Sequence, residues 1–426
     1  MAKMGYSFQK WRMLAVTMFC YMTYYTGRQT FGFALPGIAE ELGMGEATLG
    51  LFGTTLLWMY AIGQAINGNL GDKYGGRLMM SVGAWLSFAF NWVVSFGTGF
   101  WTLFLPWAGN GYVQSMGWAP GSRVLSNWWG EHERGRAFGF YMLAAATSSI
   151  IAFVMPLIVL QTLGLDWRWI FRLPVLLLLV GGTVYYLVVR NKPEDIGYES
   201  PHDLGGENGL APEHAGNGAS ETSWERYKIV CTNWHFMAAS FGIGFQSIAR
   251  YGLLMWVPMH FLGADYREAR GAWVSVALPV GMALGAVAGG FISDKIFNSV
   301  RWKLIFSFLM LAAVNAGVMY FLPRGHALGI GFLFLCGFFV YGSQSAFWAL
   351  CPDLLSNERA GTGIGVMDFF AYLFAGVGMP LIGHAIGSQR VLDPISGLMI
   401  GNTALVFPIV AFSCVLGAII ALFVKR

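Results

Sequence analysis

Charged residues are scarce in this sequence, because Asp, Glu, Lys and Arg make up 11% of its 426 residues while 56% are hydrophobic. About a quarter of the residues of an average soluble domain are charged, so these charges are too few to cover a surface that faces water. The composition therefore excludes an ordinary soluble protein. We expect the chain to lie in a lipid bilayer, and we expect no nucleic-acid partner.

Cysteines and catalytic motifs are also sparse. The five cysteines are odd in number and scattered without metal-ligand spacing, at Cys20, Cys231, Cys336, Cys351 and Cys414. The sequence has no set of nucleophile, base and acid and no phosphate-cradling loop. We therefore predict that the protein is not an enzyme and that it has no cofactor and no metal site.

Long apolar runs, in contrast, recur throughout the chain. A membrane helix needs roughly 20 apolar residues. Twelve runs meet this need, and they begin near Trp11, Ala47, Leu78, Trp101, Arg136, Trp169, Cys231, Arg270, Lys303, Leu328, Thr362 and Gly401. The sequence therefore predicts an all-α membrane protein with twelve transmembrane helices. Lys and Arg are concentrated in alternate loops, which predicts that both termini are cytoplasmic and that the protein lies in the inner membrane.

A polar segment divides the chain, and the same residue patterns occur on both sides of it. We predict a six-helix bundle at 1–190, a cytoplasmic linker at 191–229, which is rich in Gly, Glu, Pro and Asn, and a second six-helix bundle at 230–426. Asp72 and Lys73 recur as Asp294 and Lys295, 222 positions later. These matches predict a duplicated, pseudo-symmetric pair of halves.

Two intramembrane arginines follow the same repeat. Arg28 and Arg250 are also 222 positions apart, and each lies deep in a predicted helix. A charge near the bilayer centre costs at least ~2.5 kcal/mol, so it usually faces a cavity and marks a functional site. Arginine suits oxyanions because its planar donors bind them in bidentate fashion. We predict an anion-binding pair, although either arginine could instead extend to an interface or tie helices together.

Further polar and aromatic residues lie on the helices of these arginines and on four other predicted helices. The candidate substrate-binding residues, beside the two arginines, are Tyr21, Tyr25, Tyr60, Gln64, Gln114, Trp118, Gln246, Tyr341 (with Gln344 or Ser345), Asp368 and Tyr372. Polar and aromatic stripes of this kind also serve as contacts between membrane helices. Asp368 is the only carboxylate placed well inside a predicted span. It could pair with an arginine, carry a coupling proton or bind an ammonium group.

The loop signatures predict a second set of residues that control conformation. Asp72 and Asp294 close predicted helices two and eight, where they can cap a helix or pair with basic groups. A third repeated pair, Glu133-Arg134 and Glu358-Arg359, is offset by 225 positions. With Lys73, Arg77 and Lys295 these are the candidate gating residues, and the alternative is that they are turn and topology signals only.

The chain resembles the organophosphate:phosphate antiporter family of the major facilitator superfamily. The resemblance covers nearly the whole chain, and its most specific segments are YYTGRQTFGFALPGIAEELG, MGWAPGSRVLSNWWGEHERG, RNKPEDIGY and RYGLLMWVP. It implies a monomeric secondary transporter that works by alternating access, with Arg28 and Arg250 as an anion clamp. It also implies a small anionic substrate, with protons or inorganic phosphate as the coupling ion. Five tyrosines match site-lining positions of the glycerol-phosphate transporter, namely Tyr21, Tyr25, Tyr60, Tyr341 and Tyr372.

Three positions depart from that glycerol-phosphate pattern. Ala145 and Gln64 stand where the glycerol-phosphate transporter has a histidine and a lysine, and Asp368 stands where it has no acid. The cavity is therefore less positive, so a phosphodiester, phosphonate, sulfonate, carboxylate or zwitterion with an amine would fit its charge at least as well as a divalent phosphate. A sugar-phosphate sensor that signals to a membrane kinase is the alternative function, because it would keep both arginines.

Overall fold

The computed structural model describes residues 5–44, 46–201, 221–262, 273–322, 328–392 and 399–424. Most of the predicted linker and the start predicted near Arg270 lie outside these residues. The described chain is almost entirely helical, and a single antiparallel pair of short strands is the only sheet within it. The prediction of an all-α fold is confirmed.

The sequence up to the linker forms eight helices: α1 Tyr6–Tyr24, α2 Phe31–Leu42, α3 Glu46–Tyr74, α4 Gly76–Val94, α5 Phe100–Gln114, α6 Trp118–Trp128, α7 Glu131–Leu157 and α8 Leu176–Val188. Helices α1 and α2 together form predicted span one, and α5 and α6 form span four. A 3-10 turn at Trp167–Phe171 precedes α8 and completes span six. Six spans therefore arise from eight helices, because two spans are interrupted.

The described residues after the linker form seven helices: α9 Ser223–Thr232, α10 Trp234–Leu262, α11 Trp273–Lys295, α12 Arg301–Phe321, α13 Leu328–Leu355, α14 Ala360–Ser388 and α15 Val406–Leu422. Helix α9 is short and polar, and the other six are the predicted spans seven to twelve. The strands β1 Arg390–Leu392 and β2 Met399–Gly401 pair between α14 and α15, with Arg390 opposite Gly401. This hairpin was not predicted.

The helices cluster into two compact units that do not follow the chain order throughout. The first unit contains Met1–Glu131, Ala144–Val230 and Cys351–Phe369, and the second contains His132–Leu143, Cys231–Leu350 and Phe370–Arg426. The beginning of α14 therefore packs within the first unit, and the beginning of α7 packs within the second. The predicted domain boundaries at 190 and 230 stay a prediction.

Aromatic side chains fix α2 in the first unit. The Phe31 and Trp107 rings stack with their centroids 4.2 Å apart, and Phe171 packs against Phe31 at 5.7 Å. The Trp107 indole N–H donates to the Phe52 carbonyl oxygen at 3.0 Å, so this buried ring is also hydrogen-bonded. This cluster anchors the segment that follows Arg28.

Candidate functional site

Span one is interrupted beside Arg28, and buried amides stabilise the interruption. Helix α1 ends at Tyr24, and a single 3-10 turn covers Tyr25–Gly27. The Gly27 carbonyl oxygen accepts from the Asn110 side-chain amide at 2.7 Å and from that of Asn91 at 3.2 Å. Carbonyls at a helix end lack partners within their own helix, so these amides replace the missing bonds.

The amides that hold this break are themselves linked. Ser87 Oγ donates to Asn110 Oδ1 at 2.7 Å and accepts from Gln114 Nε2 at 2.8 Å. Gln114 Nε2 also donates to the Tyr24 carbonyl oxygen at 3.0 Å. The structure therefore places Gln114, a predicted substrate ligand, against the backbone of span one. We call Ser87, Asn91, Asn110 and Gln114 the amide network.

Tyrosine rings surround the Arg28 guanidinium. Its Cζ lies 4.0 Å from the ring centroid of Tyr25, 5.1 Å from that of Tyr60 and 5.9 Å from that of Tyr21. Its Nη2 donates to the Tyr21 hydroxyl at 3.4 Å, and the Trp118 ring packs 5.3 Å from the Tyr21 ring. Aromatic faces attract a cation and hold its planar fork in place, so the guanidinium is oriented before any ligand arrives.

The second unit contains a similar arrangement around Arg250. Its Cζ lies 4.3 Å from the Tyr251 ring centroid and 5.6 Å from that of Tyr341, and its Nη1 donates to Gln344 Oε1 at 3.1 Å. The Tyr372 ring lies 6.0 Å from the Tyr251 ring. Each unit therefore presents one arginine held among tyrosines.

Two residues around Arg250 differ from the sequence prediction. Tyr251 was missed, although its ring is the closer of the two that face the guanidinium. Gln246, a predicted ligand, donates through Nε2 to the Val340 carbonyl oxygen at 2.8 Å and so ties α10 to α13.

Gln64 and Asp368 lie near Arg28 in the first unit. Gln64 is completely buried, and neither its Oε1 nor its Nε2 has a hydrogen-bond partner among the described residues. Asp368 is 5% exposed, and its carboxylate lies within electrostatic reach of the Tyr60 hydroxyl, as does the Arg28 guanidinium. A cation and an anion thus both act on the Tyr60 hydroxyl.

Asp72, at the end of α3, caps α14. Its carboxylate accepts from the backbone N–H of Gly361 at 2.9 Å and from that of Thr362 at 2.6 Å. It also forms an ion pair with Arg123 of α6, which in turn donates to the Glu358 carbonyl oxygen at 2.6 Å. An acid at a helix N-terminus is favoured by the free N–H groups and by the helix dipole.

Asp294, at the end of α11, makes the equivalent contacts with α7. It accepts from the backbone N–H of Gly135 at 3.2 Å and of Arg136 at 2.8 Å. It pairs with Arg301 at 2.5 Å and with the Arg136 guanidinium at 3.4 Å. The backbone N–H partners of the two repeated acids therefore match in the two units. Their basic partners do not match, since Arg123 belongs to α6 and Arg301 to α12.

The other candidate gating residues lie around these two contacts. Glu133 pairs with Arg136 at 3.0 Å, and Arg359 pairs with Glu221 just before α9. Arg77 instead donates to the Tyr186 carbonyl oxygen at 2.6 Å, and Arg134 is buried. Lys73 and Lys295 are exposed. The sequence prediction did not assign a gating role to Arg123, Arg136 or Arg301.

A family model described as Major Facilitator Superfamily matches residues 17–379 of this chain. The chain belongs to the major facilitator superfamily. Solved superfamily members have the same fold: a proton:xylose symporter has a TM-score of 0.73 at 15% identity, and 97% of this chain and 95% of that chain are covered. The fucose:proton symporter of E. coli has a TM-score of 0.71 at 13% identity, with 97% and 98% covered. The predicted fold class is confirmed.

Curated relatives within the superfamily are similar over most of their length. A probable hexose phosphate transport protein of Chlamydia pneumoniae is 27% identical over 90% of this chain and 86% of its own. The glycerol-3-phosphate transporter of Bacillus subtilis is 26% identical over 83% and 80%. A membrane sensor protein of Salmonella typhimurium is 27% identical over 89% and 87%.

These relatives confirm the resemblance to the organophosphate:phosphate antiporter family. The protein is a multi-pass integral membrane transporter of the major facilitator superfamily and not an enzyme, as predicted.

Proposed function

We propose that the protein is a secondary active transporter that moves a small organic anion, namely an organophosphate or a similar phosphonate, sulfonate or carboxylate. The names of its relatives support this class of substrate, because they include hexose phosphate, glycerol-3-phosphate and phosphoglycerate transporters. We expect a monomer in the inner membrane with both termini in the cytoplasm. We expect inorganic phosphate or protons as the coupling ion.

The arrangement of Arg28 and Arg250 carries this proposal. Each arginine belongs to an apolar span, is oriented by two or three tyrosine rings, and occupies the same position in its half of the duplicated sequence. In a transporter built from repeats, such residues act on one central substrate. Two guanidinium groups that stay charged and bind oxyanions in bidentate fashion form an anion clamp.

Alternating access requires contacts that form in one state and break in another, and Asp72 and Asp294 supply candidates. Each acid binds the beginning of a helix that lies in the other half of the sequence, α14 for Asp72 and α7 for Asp294. We propose that these two contacts hold one conformation of the transport cycle and are released in the other.

Purified protein in proteoliposomes would test the clamp. Vesicles loaded with inorganic phosphate take up labelled glycerol-3-phosphate, glucose-6-phosphate or a phosphonate, with and without a proton gradient. We expect Arg28→Lys and Arg250→Lys each to reduce uptake about 100-fold or more, since lysine cannot form the bidentate fork. Arg390→Lys, an exposed arginine in β1, is the matched control and should keep wild-type uptake. Near-normal uptake by either clamp variant would refute the proposal.

A ligand sensor is the second candidate, because one relative is named a membrane sensor protein and is as similar as the transporters. A sensor would bind the same anions through the same arginines. Flux separates the two functions: binding that is lost in Arg28→Lys, without uptake or counterflow in the wild type, would indicate a sensor.

A further inference from the structure

Glycine contacts join α3 to α14 in a fixed register. A Cβ atom at Gly361 would lie 2.6 Å from the Gly68 carbonyl oxygen, and a Cβ atom at Gly365 would collide with the Gln64 carbonyl oxygen. These backbones approach closely because the G-x-x-x-G spacing leaves no side chain between them. One further turn along each helix brings Tyr60 of α3 level with Asp368 of α14. The register therefore agrees with the electrostatic proximity of the two side chains.

The equivalent contact in the second unit is apolar. There α11 and α7 meet at two glycines. Gly290 of α11 lies against the Gly135 carbonyl oxygen, and Gly139 of α7 lies against the Ala286 carbonyl oxygen. By the equivalence of these contacts, which are offset by 222 positions for α3 and α11 and by 226 for α14 and α7, Met282 stands in place of Tyr60 and Met142 in place of Asp368. The helix contact itself thus does not need an acid or a hydroxyl. Those groups are additions to one half of the protein.

Gln64 gives independent evidence for a ligand at this place. Gln64 is completely buried and lies one turn from Tyr60 on α3, and both polar atoms of its side-chain amide lack a partner among the described residues. A buried donor or acceptor without a hydrogen-bond partner destabilises the folded state. Native structures therefore avoid such groups unless a ligand or a water molecule supplies the missing hydrogen bonds. The duplicated position is Ala286, so the amide is not required for helix packing.

We propose that the substrate is a zwitterion, with a cationic amine beside its oxyanion, and that Asp368, Gln64 and Tyr60 bind the amine. This rests on the proposed function, because Arg28 is assigned to the oxyanion. The ammonium donates to the Asp368 carboxylate and to Gln64 Oε1, while Gln64 Nε2 remains able to donate to the oxyanion. The Arg28 guanidinium lies 5.1 Å from the Tyr60 ring centroid, and Asp368 is level with Tyr60 across the α3–α14 contact, which matches a ligand whose opposite charges are separated by a short linker. Aminoalkyl phosphonates and aminoalkyl phosphates are the class with this chemistry.

Two probes of equal size isolate the amine. 2-Aminoethylphosphonate and propylphosphonate differ only by an ammonium group in place of a methyl group. Competition between them therefore measures how much the ammonium group contributes to binding affinity. We expect wild-type protein to bind 2-aminoethylphosphonate at least about tenfold more tightly, since truncation of one partner of a buried charge pair costs at least this much. Asp368→Asn should abolish the preference, because 2-aminoethylphosphonate then loses the partner of its ammonium group and propylphosphonate has no such partner to lose. Gln64→Leu should weaken 2-aminoethylphosphonate binding by a smaller factor.

Glu194→Gln, an exposed acid-to-amide change, is the matched control, and thermal unfolding of each variant checks that it is folded. Equal binding of both probes by the wild type would overturn the zwitterion inference and leave the anion clamp intact. If the wild type binds neither probe and no other anion, the proposed function is overturned instead. If Asp368→Asn loses dependence on a proton gradient but keeps the preference for the amine, the acid is a proton carrier and the inference is wrong.

Discussion

Thr362 bonds twice to Asp72, through its backbone N–H at 2.6 Å and its hydroxyl at 2.5 Å. The carboxylate is completely buried and also pairs with Arg123, whose side chain is 17% exposed. A single acid at the end of α3 therefore joins three elements of the first unit: α3, α6 and α14.

We predict that Asp72→Asn destabilises the protein by about 3 kcal/mol, because removal of one member of a buried ion pair leaves the other charge unpaired. Chemical unfolding in mixed micelles measures this change. Addition of Arg123→Gln to Asp72→Asn should recover part of the loss, since the uncompensated guanidinium is then gone. Additive losses in the double variant would contradict a direct coupling. Glu194→Gln controls for the loss of a carboxylate elsewhere.

Two glycines of the same helix give a matched test of the α3–α14 contact. A Cβ at Gly365 would collide with the Gln64 carbonyl oxygen, whereas one at Gly376 meets nothing within 4 Å. We predict that Gly365→Ala lowers uptake and stability because α14 must move away from α3. Gly376→Ala should be neutral or stabilise the helix by up to about 1 kcal/mol. Uptake assays and thermal unfolding compare the two, and equal effects would mean that the close approach is unimportant.

We predict from the amide network that Asn110 affects anion affinity because it keeps the Arg28 guanidinium oriented. Asn110→Leu removes the shorter of the two hydrogen bonds to the Gly27 carbonyl oxygen, so the 3-10 turn relaxes and the guanidinium loses its orientation. We expect about a tenfold loss of anion affinity in binding assays. In an Arg28→Ala background the same substitution should cause no further loss of affinity, although it should still lower stability.

A purely structural role for Asn110 would give equal affinity losses in both backgrounds. Asn315→Leu is the control, because this buried amide donates only to the Leu311 carbonyl oxygen of its own helix in the described structure.

We predict a pH dependence from Glu41, which lies in the polar last turn of α2, beyond the apolar run of span one. Hydrogen bonds from the Arg168 guanidinium and from the Trp167 indole lower the pKa of this carboxyl below its usual 4.5. A lowered pKa contributes stability at higher pH that disappears as pH falls through the pKa of the folded state. Glu41→Gln should therefore be less stable than wild type near neutral pH and equal to it well below pH 4.5.

Thermal unfolding from pH 3 to pH 7 measures the difference. Because the Glu41 side chain is 47% exposed, the effect should be small and should shrink in high salt. Glu40→Gln, the neighbouring exposed acid, is the control. A pH-independent difference for Glu41→Gln would contradict the prediction.

The spans could be predicted from the sequence because each is a long apolar run, but their interruptions could not. Helix α1 ends at Tyr24 because donors from α4 and α5, between 64 and 90 residues away, satisfy its terminal carbonyl oxygens. Only the folded chain brings Asn91, Asn110 and Gln114 to that point. A local pattern contains no such information.

The repeat and the helical period pointed to the arginines that the structure places among tyrosine rings, and the role of these residues as a binding site stays a prediction. The 222-residue repeat showed that Arg28 and Arg250 occupy equivalent positions. The spacing of Tyr21, Tyr25 and Arg28 indicated that they share one face of a helix. Tyr251 was missed because adjacent helical side chains normally point in different directions, yet the long arginine reaches back over its neighbour's ring. Arg123 and Arg301 were missed because their acids lie on other helices.

Because Asp368 stands on α14, the contact that Asp72 makes with the first turn of that helix also sets the electrostatic potential around Arg28. Departure of α14 from α3 would carry the carboxylate away, and the surroundings of the guanidinium would become more positive. A zwitterion would then be held by both charges in one state and by its oxyanion alone in the other. A single helix cap would thus determine both when the substrate can leave and how tightly it is bound.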